Sequence, residues 1–127
     1  MDFQTITQEK YLQYFLSDRE HSISDTVMTD FLNDMITLSE QLDVTVSQIE
    51  IIKAIMERCG FEGGLPNSIS LIANSDLVEA LNTLEVFTLL WYVSCRNTLT
   101  YDERFYAHMA NNKTIGNLLK RLSHLCA

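Results

Sequence analysis

The chain has 127 residues, 46% of them apolar, and a formal net charge of −8. This length suffices for one hydrophobic core, and a single proline and four glycines disfavour both disorder and a turn-rich β fold. The negative charge also disfavours binding to nucleic acid or anionic lipid, because displacing phosphate counterions requires Lys and Arg. We therefore expect one helical domain over residues 1–127, an all-α bundle of five to seven helices.

The N-terminal half contains apolar residues at helical spacing. Tyr11, Tyr14 and Phe15 are at this spacing, which favours a place in the core over a surface aromatic patch. A helix of about five turns is predicted from the capping candidates Ser22 and Ser24 onward. Its apolar stripe consists of Met28, Phe31, Leu32, Met35, Leu38 and Leu42.

Thr45, with Gln48 three residues later, forms a capping-box pattern that predicts the start of the next helix, and Gly60 predicts its end. The stripe of this helix consists of Ile49, Ile52, Ile55, Met56 and Cys59. The segment 61–67 holds Gly63, Gly64 and Pro66 and is predicted to be the main loop.

Shorter elements follow the loop. Helices are predicted over 69–73 and 76–81, the second opened by Asn74 or Ser75. Thr83 is predicted to cap a central helix over 84–96, which is apolar nearly all round and should be surrounded by the others.

Two further helices are predicted near the C-terminus. Thr100 with Glu103 forms a capping-box pattern for a helix that stops at Asn111 and Asn112. Thr114 then caps the last helix, whose stripe consists of Ile115, Leu118, Leu119, Leu122 and Leu125.

Residues 38–53 resemble the helix-turn-helix of DNA-binding proteins. A helix ending at Leu42 and a turn through Asp43 precede a second helix. In that family the start of the second helix contacts base edges and nearby cations contact phosphate. The resemblance would assign DNA binding to Thr45, Ser47, Gln48 and Lys53. The alternative is two antiparallel helices joined by a tight turn, favoured by the surrounding acidic residues and by Asp43 at a position where the family prefers Gly.

Glu103-Arg104-Phe105 and Leu118-Leu119-Lys120-Arg121-Leu122 resemble the closing signature of an uncharacterised family of small helical bacterial proteins. His108 and Tyr101 replace a Gly and a basic residue of that pattern. The resemblance covers about the last third of the chain. It implies a helical intracellular fold and no particular activity.

The reactive residue types form no recognisable catalytic or metal-binding pattern. The three histidines are far apart in sequence, and no Cys-x-x-Cys pair is present. We therefore expect no enzyme activity, no metal and no cofactor. The odd cysteine count and the absence of a secretory or membrane-spanning segment predict a cytoplasmic protein with cysteines packed in its core.

Charge is concentrated at one end of the sequence, and this concentration carries the functional prediction. Residues 1–50 carry ten acidic side chains against two basic ones, whereas residues 96–127 carry five basic against two acidic. We expect an acidic helical face to occlude a basic protein partner, as an inhibitor, immunity protein or anti-activator would. The predicted contact residues are Asp25, Asp30, Asp34, Glu40, Asp43 and Glu50.

Two further expectations follow from this interpretation. Charge reversal at Asp30 and Asp34 should weaken partner binding and leave the fold intact. A homodimer through an exposed apolar stripe is also compatible with the sequence. The alternative function is a small helix-turn-helix transcriptional regulator acting through residues 38–53.

Overall fold

The computed structural model describes residues 2–16, 25–62, 66–96 and 105–126, and these residues are almost entirely helical. The described residues form seven α-helices, α1 (Phe3–Ile6), α2 (Glu9–Leu16), α3 (Asp25–Gln41), α4 (Val44–Arg58), α5 (Pro66–Ala73), α6 (Thr83–Trp91) and α7 (Phe105–Cys126). A 3-10 helix spans Asp76–Ala80, and a π-helical segment, Tyr92–Arg96, continues α6. No β-strand occurs in these four ranges, so the predicted all-α bundle of five to seven helices is confirmed.

Helix α6 lies at the centre of the core. Val86, Phe87, Thr88, Leu89 and Leu90 are all buried. The Thr88 hydroxyl donates a hydrogen bond of 2.7 Å to the Leu84 carbonyl, so its burial leaves no polar group unsatisfied. Helix α6 packs against α7 and α4 and, to a smaller extent, against α3. The prediction that the most apolar segment is surrounded by the other helices is confirmed.

The N-terminal helices contribute aromatic side chains to this core. The Phe3 ring meets Phe87 edge-on at 5.2 Å between centroids. Tyr11 and Phe15 pack against Phe31 of α3 at 5.3 and 4.9 Å. Tyr11 and Phe15 are buried, which confirms the prediction that aromatic residues at helical spacing here face the core.

Helix α4 ends as its sequence predicts. Gly60 has a φ of 84°, the left-handed conformation that a side chain would strain. The Gly60 amide donates to the Glu57 carbonyl and the Phe61 amide to the Met56 carbonyl, at 3.1 and 2.8 Å. These two bonds form a Schellman motif, which satisfies the last carbonyls of the helix.

Two predicted caps are wrong by one or two residues. Asn82, not Thr83, caps α6: its side chain accepts from the Glu85 amide at 2.9 Å, and the Glu85 carboxylate accepts from the Asn82 amide at 3.0 Å. Helix α4 begins at Val44 with Asp43 at the cap position, so Thr45 lies inside its first turn. The predicted cap Ser75 is confirmed by its acceptance of the Leu77 amide at 3.2 Å.

The predicted stop at Asn111 and Asn112 and the cap at Thr114 are also wrong, because α7 is one continuous helix. Thr114 is buried and its hydroxyl donates to the Ser70 hydroxyl of α5 at 3.3 Å. Two asparagines cost a helix about 1 kcal/mol, whereas burying one leucine stabilises it by about 2 kcal/mol. The buried stripe of α7, which includes Leu118, Leu119 and Leu122, therefore outweighs the local signal.

The loop predicted over 61–67 is shorter than expected, because α5 begins at Pro66. Proline suits the first position of a helix, where no amide hydrogen bond is lost. Three other groups of predictions lie outside the described residues: the caps at Ser22 and Ser24, the capping box of Thr100 with Glu103, and the loop glycines Gly63 and Gly64.

Candidate functional site

Helices α3 and α4 form a hairpin that carries most of the predicted contact residues. Helix α3 ends at Gln41 and α4 begins at Val44, so only Leu42 and Asp43 form the turn. Asp43 adopts a left-handed conformation with a φ of 54°, which ends α3 and turns the chain into α4. Val44 is buried and fixes the start of α4 to the core.

The hairpin is strongly acidic and most of its acidic side chains face solvent. Residues 25–58 hold seven acidic and two basic side chains. Asp30, Glu40, Asp43 and Glu50 are exposed, and none of them has an ion-pair partner in the described part of the chain. Four of the six predicted contact residues are therefore accessible to a partner. The side chain of a fifth, Asp25, lies outside the described residues.

Asp34, the sixth predicted contact residue, is half-buried and already engaged within the protein. It accepts a hydrogen bond of 3.3 Å from the Tyr11 hydroxyl of α2. Burial, together with the Asp34 and Asp30 carboxylates, raises the pKa of Tyr11 to about 12. The Lys10 ammonium lies 4.6 Å from the centre of the Tyr11 ring. Charge reversal at Asp34 would therefore disturb the contact between α2 and α3, contrary to the expectation that it leaves the fold intact.

Large apolar side chains are exposed on the same hairpin, which the sequence patterns did not predict. Ile36 and Leu42 are each 41% exposed and Ile49 is 49% exposed. Leu42 and Ile49 were expected in buried stripes. Leu42 lies in the turn, beyond the last residue of α3, and Ile49 lies at the edge of the α4 stripe. We call Ile36, Glu40, Leu42, Asp43, Ile49 and Glu50 the hairpin surface.

Of the residues assigned to DNA binding, the structure describes the side chains of Gln48 and Lys53. Gln48 is only 7% exposed and its Oε1 has no hydrogen-bond partner among the described residues, so this side chain faces the core. The side chains of Thr45 and Ser47 lie outside the described residues. Lys53 is exposed but lies three residues from Glu50 and four from Glu57 on the same helix. The left-handed Asp43 does occupy the position where helix-turn-helix proteins prefer glycine.

An ion pair fixes the far end of the hairpin to the central helix. The two Nη atoms of Arg58 lie 2.6 and 2.8 Å from the two carboxylate oxygens of Glu85. Burial alone would raise the pKa of Glu85, but the hydrogen bonds from Arg58 and the Asn82 amide, with the Arg58 charge, lower it below its ordinary value. Arg58 is thus occupied, and its charge does not offset the acidic side chains of the hairpin surface.

Two classes of site can be assessed for the described ranges only. Among these residues no group of three or more His, Cys, Asp or Glu side chains is placed to hold a metal ion. None of their helices has both the length and the apolar character needed to span a bilayer. The chain matches no family model, no curated protein and no solved structure. What the hairpin can do is therefore inferred from its own residues.

Proposed function

We propose that this chain is a non-enzymatic regulatory protein of the cytoplasm whose hairpin surface docks on a basic protein and occludes it. One observation carries the proposal: exposed acidic side chains, without ion-pair partners among the described residues, share the hairpin with exposed Ile36, Leu42 and Ile49. The free cysteines Cys59 and Cys126 support a reducing compartment.

The two kinds of side chain have different tasks in such a contact. Glu40, Asp43 and Glu50 attract a basic partner over a distance of about one Debye length, roughly 8 Å at physiological salt. This attraction raises the association rate and makes it sensitive to salt. Ile36 and Ile49 lose water when the partner docks, and a few desolvated residues near the centre of a protein interface carry most of its affinity.

The test uses two charge-reversal variants that alter net charge equally. Glu40→Lys with Glu50→Lys changes the hairpin surface, whereas Glu62→Lys with Glu79→Lys changes exposed residues elsewhere. Each tagged protein is incubated with extract of the native host at low and high salt, and recovered proteins and nucleic acid are identified. We expect one basic protein that the wild type and the Glu62/Glu79 variant retain at low salt and that the Glu40/Glu50 variant loses.

The apolar contribution is measured with the purified partner. Ile36→Ala with Ile49→Ala should weaken the equilibrium affinity about tenfold, or roughly 1.4 kcal/mol, with little change in salt dependence. Leu84→Ala serves as the control, since Leu84 is also exposed but lies on α6, outside the hairpin.

Two results would overturn the proposal. Retention of the same partner by the Glu40/Glu50 variant would mean that the contact lies elsewhere. Recovery of a specific DNA fragment, or tight binding to duplex DNA at low salt, would favour the helix-turn-helix alternative and the start of α4 as the site.

A further inference from the structure

A second surface that combines charged and apolar side chains lies on α7, in the basic part of the sequence. Lys113, Asn117, Lys120 and His124 follow one another at steps of four, three and four residues, so they share one face of the helix. Lys113, Lys120 and His124 are exposed. Arg121, next to this face, donates to the carbonyls of Glu79 and Leu81 at 2.8 and 3.2 Å, which joins α7 to the 3-10 helix.

The exposed apolar member of this surface comes from α5. Leu71 is 59% exposed, the largest exposed fraction among the large apolar side chains that the structure describes. Two hydrogen bonds hold α5 beside α7, one between Thr114 and Ser70 and one from the Asn117 amide to the Asn74 side chain. Leu71 lies one residue after Ser70 and three before Asn74. The outer sides of the two helices therefore form one continuous surface.

We call Leu71, Lys113, Lys120 and His124 the α5–α7 surface. Its composition complements that of the hairpin surface, because one combines apolar and basic side chains and the other apolar and acidic ones. Helix α6 packs against α3 and α4 as well as against α7, while in the described structure α3 and α4 make no comparable packing against α7. The two surfaces are therefore separate and can be occupied at the same time.

We propose that the α5–α7 surface binds the hairpin surface of a second copy of this chain, so that copies associate head to tail. Lys113 and Lys120 would lie against Glu40 and Glu50 of the second copy, and Leu71 against its Ile36 and Ile49. Such a contact joins two different surfaces, and it builds rings or open chains instead of a closed symmetric dimer.

Two consequences follow from the charges. The net charge of −8 produces long-range repulsion between copies, so the association is weak and depends on protein concentration. The basic partner and a second copy compete for one hairpin surface. Self-association thus stores the protein in a form from which a basic partner releases it.

The test uses variants that each alter only one of the two surfaces. Glu40→Lys spoils the hairpin surface and leaves the α5–α7 surface intact, whereas Lys113→Ala with Lys120→Ala does the reverse and places no carboxylate opposite the new lysine. Molar mass is measured by light scattering during size-exclusion chromatography over a range of concentrations. We expect the wild type to grow beyond a monomer as concentration rises, and each variant alone to need at least about tenfold more protein to do so.

The mixture of the two variants is the decisive sample. One intact hairpin surface and one intact α5–α7 surface remain in it, so we expect 1:1 pairs that do not grow further. Recovery of association in the mixture also shows that both variants are folded. Glu62→Lys makes the same charge change as Glu40→Lys outside both surfaces and should associate as the wild type does.

Three results would overturn this proposal: a wild type that stays monomeric at every concentration, an oligomer unaffected by either variant, or a mixture without pairs. None of them concerns the basic partner. A monomeric wild type that still binds a basic protein through Glu40 and Glu50 would refute self-association and leave the proposed function standing.

Discussion

Arg58 of α4 and Glu85 of α6 are joined by two short contacts of 2.6 and 2.8 Å, and the same Glu85 carboxylate caps its own helix by accepting the Asn82 amide. One side chain therefore completes the start of the central helix and holds the end of the hairpin. Because Glu85 is largely buried while Arg58 is half-exposed, removing Arg58 should cost more than breaking a surface ion pair and less than breaking a fully buried one.

Arg58→Ala should lower the free energy of unfolding by about 1–2 kcal/mol, since it leaves a largely buried carboxylate with one hydrogen-bond donor fewer. Lys53→Ala is the matched control, because Lys53 is an exposed cation on the same helix without a partner in the described residues, and it should change stability by less than about 0.5 kcal/mol. Urea unfolding of both variants measures the difference. Equal effects would contradict a stabilising role for the pair.

The contribution of this pair should disappear in acid. The pKa of Glu85 is lower in the folded protein than in the unfolded chain. The pair therefore contributes its full stability above the ordinary glutamate value of about 4.3, and the contribution falls as the pH drops through the lower folded value. We expect the stability difference between wild type and Arg58→Ala to shrink across that interval. A difference independent of pH would show that Arg58 acts only through packing.

Tyr11→Phe should cost about 1 kcal/mol at neutral pH, because the hydrogen bond to Asp34 is lost and the ring is kept. Tyr11 has a pKa raised to about 12, so the stability linked to it is complete below the ordinary value of about 10 and is lost as the pH rises through 12. Alkaline titration followed by ultraviolet absorbance should show one tyrosine ionising late, and the variant should lack it. A late phase that persists in Tyr11→Phe would assign the raised pKa to another tyrosine.

Phe87→Ala should destabilise the protein by about 3–5 kcal/mol, since Phe87 is fully buried on the central helix and also meets Phe3. Leu84→Ala, on the exposed side of the same helix, should cost about 1 kcal/mol or less. Thermal unfolding of the two variants distinguishes them. A similar loss from both would place the core somewhere other than around α6.

Much of the fold follows from the order of apolar residues along the chain. The stripe that includes Phe31 and Met35 is buried as its spacing predicts, and so is the mainly apolar segment Val86–Leu90. Most errors arise where one or two polar residues predict a helix end, whereas Ile49 is an error of burial within a helix. Asn82 caps α6 one residue before the expected Thr83. Its side-chain oxygen accepts from the Glu85 backbone amide, and the Glu85 carboxylate accepts from the Asn82 backbone amide.

The site was only half predictable. The sequence shows how many acidic residues α3 and α4 carry. It does not show which of them remain exposed, because exposure depends on which helices pack against each other. Asp34 follows Asp30 by four residues on α3, so the sequence places both on one helix face. Its carboxylate nevertheless accepts a hydrogen bond from Tyr11, which lies 23 residues earlier. Ile36 is the exception, because it belongs to no predicted stripe. Its absence from the stripes is the one sequence feature that indicates an exposed apolar residue on the hairpin.

Helix α7 follows all other described helices in the chain and yet packs against α1 and α2, the first two. During synthesis the N-terminal helices therefore leave the ribosome long before their main partner exists, with only α3 and its neighbours to cover their aromatic side chains. Packing α7 on α1 and α2 joins segments about 100 residues apart in the chain, and such distant pairing is slow compared with local helix formation. We therefore expect nascent chains that lack α7 to expose these aromatic side chains and to bind chaperones.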